Sequence, residues 1–376
     1  MKKGRNFNIW DALKQWSGLG KLIDFRPYGN GHINDTFLVR YENDDLKTVK
    51  YILQKINKCV FKNPEQVMSN IMNVTEFLKK KISSAGGDPE RETLTVLKND
   101  SGCGYYTDGA GDYWRMLGFI SDAVSLDLPE TSEDFYQSAI AFGRFQHMLS
   151  DFPADTLYET IPDFHNTPVR FKAFMEAVEN DICSRAEGVK DEIDFVIRRK
   201  EYMNTLEDAH KAGKLPLKVT HNDTKMNNVL LDKDTREPVC VVDLDTIMPG
   251  YSVNDFGDSI RFGASTAAED EKDLDKVHFD MTLFETYTRG FLKGCGGMLS
   301  DDELKYLPDG AIMMTLECGM RFLTDYLCGD RYFKTAYPEH NLVRCRTQFK
   351  LVSEMENERE KMNSRKLYSK KGLFKE

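Results

Sequence analysis

Two aspartates and one asparagine with short, regular spacings are the residues of this chain best suited to chemistry. His221-Asn222-Asp223 follows an apolar run, Asn228 comes five positions after Asp223, and Asp243 ends a later apolar run. One carboxylate can orient and deprotonate an acceptor hydroxyl, while an amide and a second carboxylate can hold the magnesium ion that bridges nucleotide phosphates. The pattern therefore predicts phosphoryl transfer from ATP, with Asp223 as catalytic base and Asn228 and Asp243 as ligands of Mg²⁺.

The metal ligand has a competitor, because Asp255-Phe256-Gly257 spells the DFG triplet of protein kinases. Asp255 does not follow a buried strand, whereas Asp243 stands at a predicted strand end, so we assign the metal to Asp243. Asp245 is left open as a contact to a second metal or as support for the first. Asp258 is expected to anchor the catalytic loop through backbone hydrogen bonds.

The spacing His-x-Asp-x-x-x-x-Asn resembles the catalytic loop of the protein-kinase-like superfamily. The histidine of that loop packs and forms hydrogen bonds within it, so His221 is expected to support the loop and not to take part in the reaction. A surface turn rich in Asn, Asp and Thr is the bland alternative. The apolar run after Asn228 and the later Asp243 make that alternative much weaker.

A glycine-rich turn between two predicted strands is the candidate nucleotide loop. Gly29, Asn30 and Gly31 could cover ATP phosphates with their backbone amides, although such a turn alone is more often a simple hairpin. Protein kinases carry a lysine on the third strand, but here Gln54 occupies the best-aligned position. Lys55 is expected on the opposite face of that strand, because side chains alternate, and it receives no phosphate role.

The first third of the chain has the element order of a kinase-like small lobe. Residues 7–17 predict an amphipathic helix with Phe7, Trp10, Leu13 and Trp16 on its apolar face. Further along the chain, the patterns predict strands at 23–28, 36–39, 48–53, 93–97 and 112–120, and a long helix from Pro64 to the glycines at 86–87. We expect residues 1–121 to form an N-lobe that binds the nucleotide.

The remainder of the chain is mostly helical in pattern and contains the candidate catalytic groups. Helices are predicted to start at 131 and 167, to span 192–211, and to dominate after 269; strands are predicted at 217–220, 229–231 and 239–242. Residues 122–376 are therefore expected to form a C-lobe with the catalytic loop, the metal and the acceptor site. The predicted fold class is α+β, a two-lobed protein-kinase-like fold with a small antiparallel sheet in the N-lobe.

Composition narrows the class of protein. The 376 residues carry a formal net charge of −10, which argues against a nucleic-acid partner, and 40% hydrophobic residues suffice for ordinary cores. Eight cysteines are scattered without a metal-binding spacing, which favours reduced thiols. No apolar run has the length of a membrane span or of a signal peptide. The sequence predicts a cytoplasmic protein with no membrane association and no obligate protein partner.

Several segments together resemble the aminoglycoside phosphotransferase and choline kinase group, and within it the bacterial N-acetylhexosamine 1-kinases. They are GNGHINDTFLV, YILQKIN, YWRMLGFI, THNDTKMNNVLLD, VVDLDTIMPG, FGDSIRFGA, GMRFLTDYLCGDRYFK and HNLVR, and they span nearly the whole chain. The resemblance implies ATP-dependent phosphorylation of the anomeric hydroxyl of N-acetylglucosamine or N-acetylgalactosamine. It also implies that His32, Asp223, Arg321 and Tyr332 contact the sugar.

Alternatives remain at this point. From the residues alone, His32 could cap a neighbouring backbone group, and Arg321 could be an ion-pair partner of Asp325. Another small alcohol or amine, of the aminoglycoside, choline or homoserine type, could be the acceptor with the same catalytic groups. A catalytically dead binding module is disfavoured because all three catalytic positions are filled.

Overall fold

The computed structural model describes residues 9–29, 33–364 and 367–368. The chain divides into two compact units, of which the first comprises Met1–Ala123, Leu157–Ile161 and Cys240–Ile247, and the second comprises Val124–Thr156, Pro162–Val239 and Met248–Glu376. The N-terminal region contains an antiparallel sheet and the C-terminal region is mostly helical. The predicted α+β fold class is confirmed.

The first unit is built on a six-stranded antiparallel sheet. Its strands are β1 (Lys21–Pro27), β2 (Asp35–Glu42), β3 (Thr48–Lys55), β4 (Val96–Leu97), β5 (Tyr106–Thr107) and β6 (Tyr113–Gly118). They follow the order β1-β2-β3-β6-β4, and β5 also pairs with β6. Its helices are α1 (Ile9–Leu13), α2 (Pro64–Ser84) and α3 (Pro89–Glu92). Proline at the first position starts α2, as expected for a residue that needs no amide partner there.

Alternation along β6 gives its two faces different roles. Trp114 and Met116 point into an apolar core that also contains Leu53 and Trp16. Arg115, which lies between the first two, points to the opposite face of the sheet. It lies directly across from Gln54 of β3 in the strand register. A charged side chain is thus buried on the face of the sheet that the apolar core does not occupy.

The predicted first helix is only partly correct. Phe7 lies outside the described residues, and the α-helix Ile9–Leu13 gives way to a tighter 3₁₀ segment, Lys14–Leu19. Trp10 is 57% exposed, so it does not belong to the buried face, which Ile9 and Leu13 supply. Trp16 leaves the helical conformation and donates its indole N–H to the carbonyl of Leu97 at 3.2 Å. This tertiary hydrogen bond outweighs the local helical preference.

The second unit is dominated by helices. They are α4 (Ser132–Met148), α5 (Thr167–Asn180), α6 (Lys190–Ile197), α7 (Thr205–Lys211), α8 (Ser252–Gly263), α9 (Met281–Cys295), α10 (Asp301–Leu327), α11 (His340–Asn357) and α12 (Arg359–Met362). Short strands interrupt them: β7 (Ala123–Val124), β8 (Lys218–Thr220), β9 (Val229–Asp232), β10 (Pro238–Val241) and β11 (Met248–Gly250). Strands β7 and β10 include points where the chain passes from one unit to the other.

Helix α8 lies unusually close to α10. A Cβ atom on Gly257 would come within 2.2 Å of the carbonyl oxygen of Gly310, and one on Gly310 would meet the carbonyl of Val253 at the same distance. Only glycine permits this approach of two helix backbones. The contact fixes α8, which carries two buried aspartates, against the longest helix of the unit.

The helix predicted over 192–211 is wrong in its middle. The structure has α6, a 3₁₀ turn at Tyr202–Asn204, and then α7. The guanidinium of Arg199 donates to the carbonyl of Phe195 at 2.9 Å, the group that a continuing helix would pair with the Arg199 amide. The same guanidinium binds Glu356 through two further hydrogen bonds. A side chain therefore caps the end of α6, and a tertiary ion pair holds that side chain in place.

Candidate active site

The loop after β8 carries the predicted catalytic residues. His221 is fully buried and meets the rings of Phe142 and Phe145 edge-on, at centroid distances of 5.6 and 6.0 Å. Its Nδ1 atom accepts the backbone amide of Asp223 at 3.3 Å. These contacts agree with the expectation that His221 supports the loop.

Two aspartates of α8 bind the backbone of this loop. Asp255 accepts the amides of His221 (2.9 Å) and Asn222 (2.8 Å), and Asp258 accepts the amide of Thr224 (2.9 Å). Burial raises the pKa of Asp255, although hydrogen bonds to the backbone act in the opposite direction. The anchoring role predicted for Asp258 is present, and Asp255 shares it. The Asp255-Phe256-Gly257 triplet therefore lies in helix α8, where its aspartate anchors the loop after β8.

The Asp223 carboxylate is placed between a cation and an amide. Its side chain is 25% exposed, and Oδ2 lies 2.9 Å from Nζ of Lys225 and 3.1 Å from Nδ2 of Asn228. Burial would raise the pKa of Asp223, but the charge of Lys225 and the hydrogen bonds from Lys225 and Asn228 hold it below its ordinary value. Asp223 is therefore ionised at neutral pH, which is the state that a proton acceptor requires.

Asn228 is oriented by its contacts with the same aspartate. Its Nδ2 donates both to the carbonyl of Asp223 (2.8 Å) and to the carboxylate. The opposite atom of the amide, Oδ1, is a hard oxygen of the type that Mg²⁺ accepts as a ligand. Asp243 adds an exposed carboxylate in a left-handed turn (φ 60°) at the end of β10. Each of these residues carries an oxygen donor of the type that Mg²⁺ prefers, and their assignment as its ligands stays a prediction.

A buried polar cluster occupies the first unit beside Asp243. Asp245 receives the guanidinium of Arg115 at 2.5 Å and the amide of Asn34 at 2.6 Å. Gln54 accepts from Arg115 twice, at 2.7 and 2.9 Å, and donates to Thr36. The glutamine found where kinases have a lysine thus holds an arginine of the neighbouring strand. That arginine holds the turn that contains Asp243.

The candidate nucleotide loop is only partly described. Gly29 has a φ of +75°, a conformation that favours glycine, while Asn30, Gly31 and His32 lie outside the described residues. The ATP contacts assigned to Gly29, Asn30 and Gly31, and the sugar contact assigned to His32, therefore stay predictions. Lys55 pairs with Asp112 at 3.0 Å.

Three aromatic rings surround Arg321 in the second unit. The guanidinium carbon lies 5.3 Å from the ring centroid of Phe164, 5.8 Å from that of Tyr332 and 5.6 Å from that of Phe333. The alternative ion pair with Asp325 is wrong, because the Asp325 carboxylate accepts backbone amides of the loop that follows α10. Arg321 and Tyr332 are thus adjacent, and Tyr332 is 60% exposed.

This aromatic group lies next to the catalytic loop. Phe164 is followed by His165, whose ring approaches the carbonyl oxygen of Asn222 at 3.2 Å. Glu317, one helical turn before Arg321, contacts the other nitrogen of His165 at 2.9 Å. The second unit therefore brings Asp223, Asn228, Arg321 and Tyr332 into one region.

Sequence reasoning missed several charged residues that organise these groups: Lys225, Arg115, Asp255 as an anchor, His165 and Glu317. Two of them had a recognisable signal. Arg115 interrupts an apolar strand and Glu317 interrupts an apolar helix, and charged residues at such positions are buried only when they are paired. Their partners are distant in sequence and could not be named without the fold.

Residues 24–286 match the model of APH, the phosphotransferase enzyme family. This segment includes the catalytic loop, both anchoring aspartates and Asp243. Among the residues that the structure describes, no helix has the length and apolar character needed to cross a lipid bilayer.

Solved structures with a similar fold include three kinases. An aminoglycoside phosphotransferase from Alicyclobacillus acidocaldarius has a TM-score of 0.58 at 11% identity, covering 96% of this chain and 98% of that one. An amicoumacin kinase in complex with AMP-PNP, Ca²⁺ and Ami has a TM-score of 0.59 at 13% identity, covering 94% of both chains. The Plasmodium vivax ethanolamine kinase has a TM-score of 0.53 at 15% identity, covering 86% and 82%. At these identities the likeness shows the fold alone.

Proposed function

Because the chain belongs to the phosphotransferase enzyme family APH, we propose that it transfers the γ-phosphoryl group of ATP to the anomeric hydroxyl of N-acetylglucosamine or N-acetylgalactosamine. The product is the sugar 1-phosphate. The family supplies the reaction class, and the surroundings of Arg321 support the choice of acceptor.

The choice of a sugar as the acceptor rests on one observation. Three aromatic rings form a cage in the second unit, and the protein's own Arg321 occupies it. An aromatic cage can bind the quaternary ammonium of a choline-like acceptor only if the ring faces are available to it. Here Phe164, Tyr332 and Phe333 surround the guanidinium of Arg321 instead. A cationic acceptor would meet a fixed positive charge at this position.

Neighbouring charges reinforce this preference. Burial lowers the pKa of Arg170, and the charge of Arg321 lowers it further, so two guanidinium groups lie close enough to repel each other. The nearby carboxylate of Glu317 is already bound by His165 and Thr167. A neutral sugar avoids the repulsion, and its hydroxyl and acetamide oxygens can accept hydrogen bonds from Arg321.

The catalytic loop has the groups that the transfer needs. The ionised Asp223 accepts the proton of the anomeric hydroxyl as the bond between that oxygen and the γ-phosphorus forms. The bond from the γ-phosphorus to the β–γ bridging oxygen breaks, and ADP leaves with that oxygen. An anomeric hydroxyl is more acidic than an ordinary alcohol, so a carboxylate suffices as base when positioning supplies most of the rate.

Asn228 and Asp243 would hold the magnesium ion, which neutralises phosphate charge when it is bound. The backbone amides of Gly29, Asn30 and Gly31 would cover the phosphates. Lys225 sets the direction of the Asp223 carboxylate through its ion pair, and it also supplies a positive charge beside the reacting groups.

A panel of acceptors with γ-labelled ATP tests the proposal. Label should appear in N-acetylglucosamine or N-acetylgalactosamine, and its transfer to choline, homoserine and an aminoglycoside should be at least about 100-fold less efficient in kcat/KM, as expected when the like charge of Arg321 opposes binding. The absence of turnover with every N-acetylhexosamine, together with turnover of any of the other acceptors, would contradict the proposed acceptor. The family assignment would stand in that case.

A further inference from the structure

A buried histidine lies against the backbone immediately before Asp223. Nε2 of His165 is 3.2 Å from the carbonyl oxygen of Asn222, and Nδ1 is 2.9 Å from Oε1 of Glu317. The side chain of His165 is 9% exposed and that of Glu317 is 1% exposed. No step of the proposed transfer uses either side chain. A buried ionisable pair often adds nothing to stability, so stability alone does not account for this pair.

The chemistry of the acceptors fixes the protons of this pair. A backbone carbonyl can only accept, so Nε2 of His165 carries a proton and donates it to Asn222. Oε2 of Glu317 accepts the hydroxyl of Thr167 at 2.7 Å. Burial would raise the pKa of Glu317, but the hydrogen bond from His165 and the charge of Arg321 hold it below its ordinary value. The Glu317 carboxylate thus lies within hydrogen-bonding distance of both the Thr167 hydroxyl and Nδ1 of His165.

The peptide group between Asn222 and Asp223 is consequently held at both of its polar atoms. Its oxygen accepts from His165, and its N–H donates to Nδ1 of His221 at 3.3 Å. Asn222 has a φ of 64°, a left-handed conformation that residues other than glycine keep only when their surroundings enforce it. Two hydrogen bonds on opposite edges of one peptide plane fix its rotation. That rotation sets the direction of the Asp223 side chain.

We propose that His165 and Glu317 are positioning residues, which hold the Asn222–Asp223 peptide plane so that the Asp223 carboxylate faces the acceptor hydroxyl. The inference rests on the proposed role of Asp223, and it does not depend on which acceptor is used. Glu317 and Arg321 lie one turn apart on α10, so one helix carries both the acceptor contact and the residue that orients the base.

Two substitutions of His165 distinguish the loss of its hydrogen bonds from a change in side-chain volume. His165→Leu removes both ring nitrogens, whereas His165→Gln keeps an N–H that can reach the carbonyl of Asn222. The leucine variant is expected to lose about 10- to 100-fold in kcat, because displacing a reacting group by about 1 Å costs that much. The KM values for ATP and for the acceptor should change by less than about threefold, and the glutamine variant should keep about a third or more of wild-type kcat.

The chain offers a matched control. Nδ1 of His278 lies 3.1 Å from Glu354, which makes another histidine–glutamate pair, but the His278 side chain is 53% exposed and its second nitrogen faces Asp275. His278→Leu removes a pair of the same composition away from the catalytic loop. Its kcat should equal that of the wild type.

Hydrogen–deuterium exchange provides a readout that needs no turnover. Amides of residues 220–225 should exchange faster in His165→Leu than in the wild type, and at nearly the wild-type rate in His165→Gln. Unchanged kcat and unchanged exchange in the leucine variant would overturn the proposal, and so would a glutamine variant as impaired as leucine. If the leucine variant fails to fold, the glutamine variant decides. A wild-type protein inactive on N-acetylhexosamines would contradict only the proposed acceptor.

Discussion

Asp223→Asn is expected to lower kcat by about 100- to 10,000-fold, the range that a positioned general base contributes. Asparagine has the size of aspartate but cannot accept the proton or pair with Lys225, which lies 2.9 Å from the wild-type carboxylate. Binding of Mg²⁺–ATP should stay within about threefold of wild type, because the loss concerns a contact made in the transition state. Steady-state kinetics and equilibrium nucleotide titration measure the two quantities.

Asp234→Asn is the matched control for this experiment. Asp234 is exposed in the turn between β9 and β10, and no step of the proposed reaction involves it. Its replacement should leave kcat and nucleotide binding unchanged. Retained activity in Asp223→Asn would remove Asp223 from the role of base, and an equal loss in both variants would indicate a general effect of charge.

Arg115→Met is expected to destabilise the protein by about 3–5 kcal/mol, the usual cost of breaking a buried ion pair on one side. The side chains of Arg115 and Asp245 are only 2% and 4% exposed, so the remaining carboxylate would be buried without its cation. Gln54 would also lose both hydrogen bonds that it accepts. The measurement is the shift of the urea unfolding transition.

An exposed pair in the same sheet serves as the control. Arg40 binds Asp24, and the two side chains are 44% and 47% exposed. Arg40→Met should leave the unfolding transition unchanged, because water replaces the lost partner. Adding Asp245→Asn to Arg115→Met should recover part of the lost stability, since no buried charge then remains. Equal effects of Arg115→Met and Arg40→Met would contradict the account of the buried cluster.

The regular elements could be predicted because their signals are local. A proline marks the start of α2, and the Thr131–Asp134 capping box marks the start of α4. Both signals lie within a few neighbouring residues of the sequence. The predicted helix boundaries were wrong where a residue distant in the sequence determines where the helix ends. Trp16 is held out of the helix by Leu97, and Arg199 ends α6 while bound to Glu356. No window of sequence contains either pair.

In the candidate active site, too, features with a local sequence signal were predictable and contacts with distant residues were not. The proposed catalytic loop was recognisable from its spacing, because the chemistry that we propose for it needs Asp223 and Asn228 at a fixed separation. Asp255 was rightly set aside as a metal ligand, but its anchoring role was missed, because the amides that it binds lie 34 and 33 positions away in the sequence. Burial in α8 and two backbone amides define its real contacts. At the position of the kinase lysine, Gln54 could be identified from the sequence, but its partner Arg115 could not, because Arg115 comes from another strand.

Phosphorylation of N-acetylglucosamine compared with its 1-deoxy analogue tests the central claim most directly. The analogue keeps the acetamide group and every ring hydroxyl except the anomeric one. With labelled ATP, the wild-type protein should phosphorylate N-acetylglucosamine to a non-reducing product, Asp223→Asn should form almost none, and the 1-deoxy sugar should receive no label. Transfer of label to the 1-deoxy sugar at a comparable rate would contradict phosphorylation at the anomeric position.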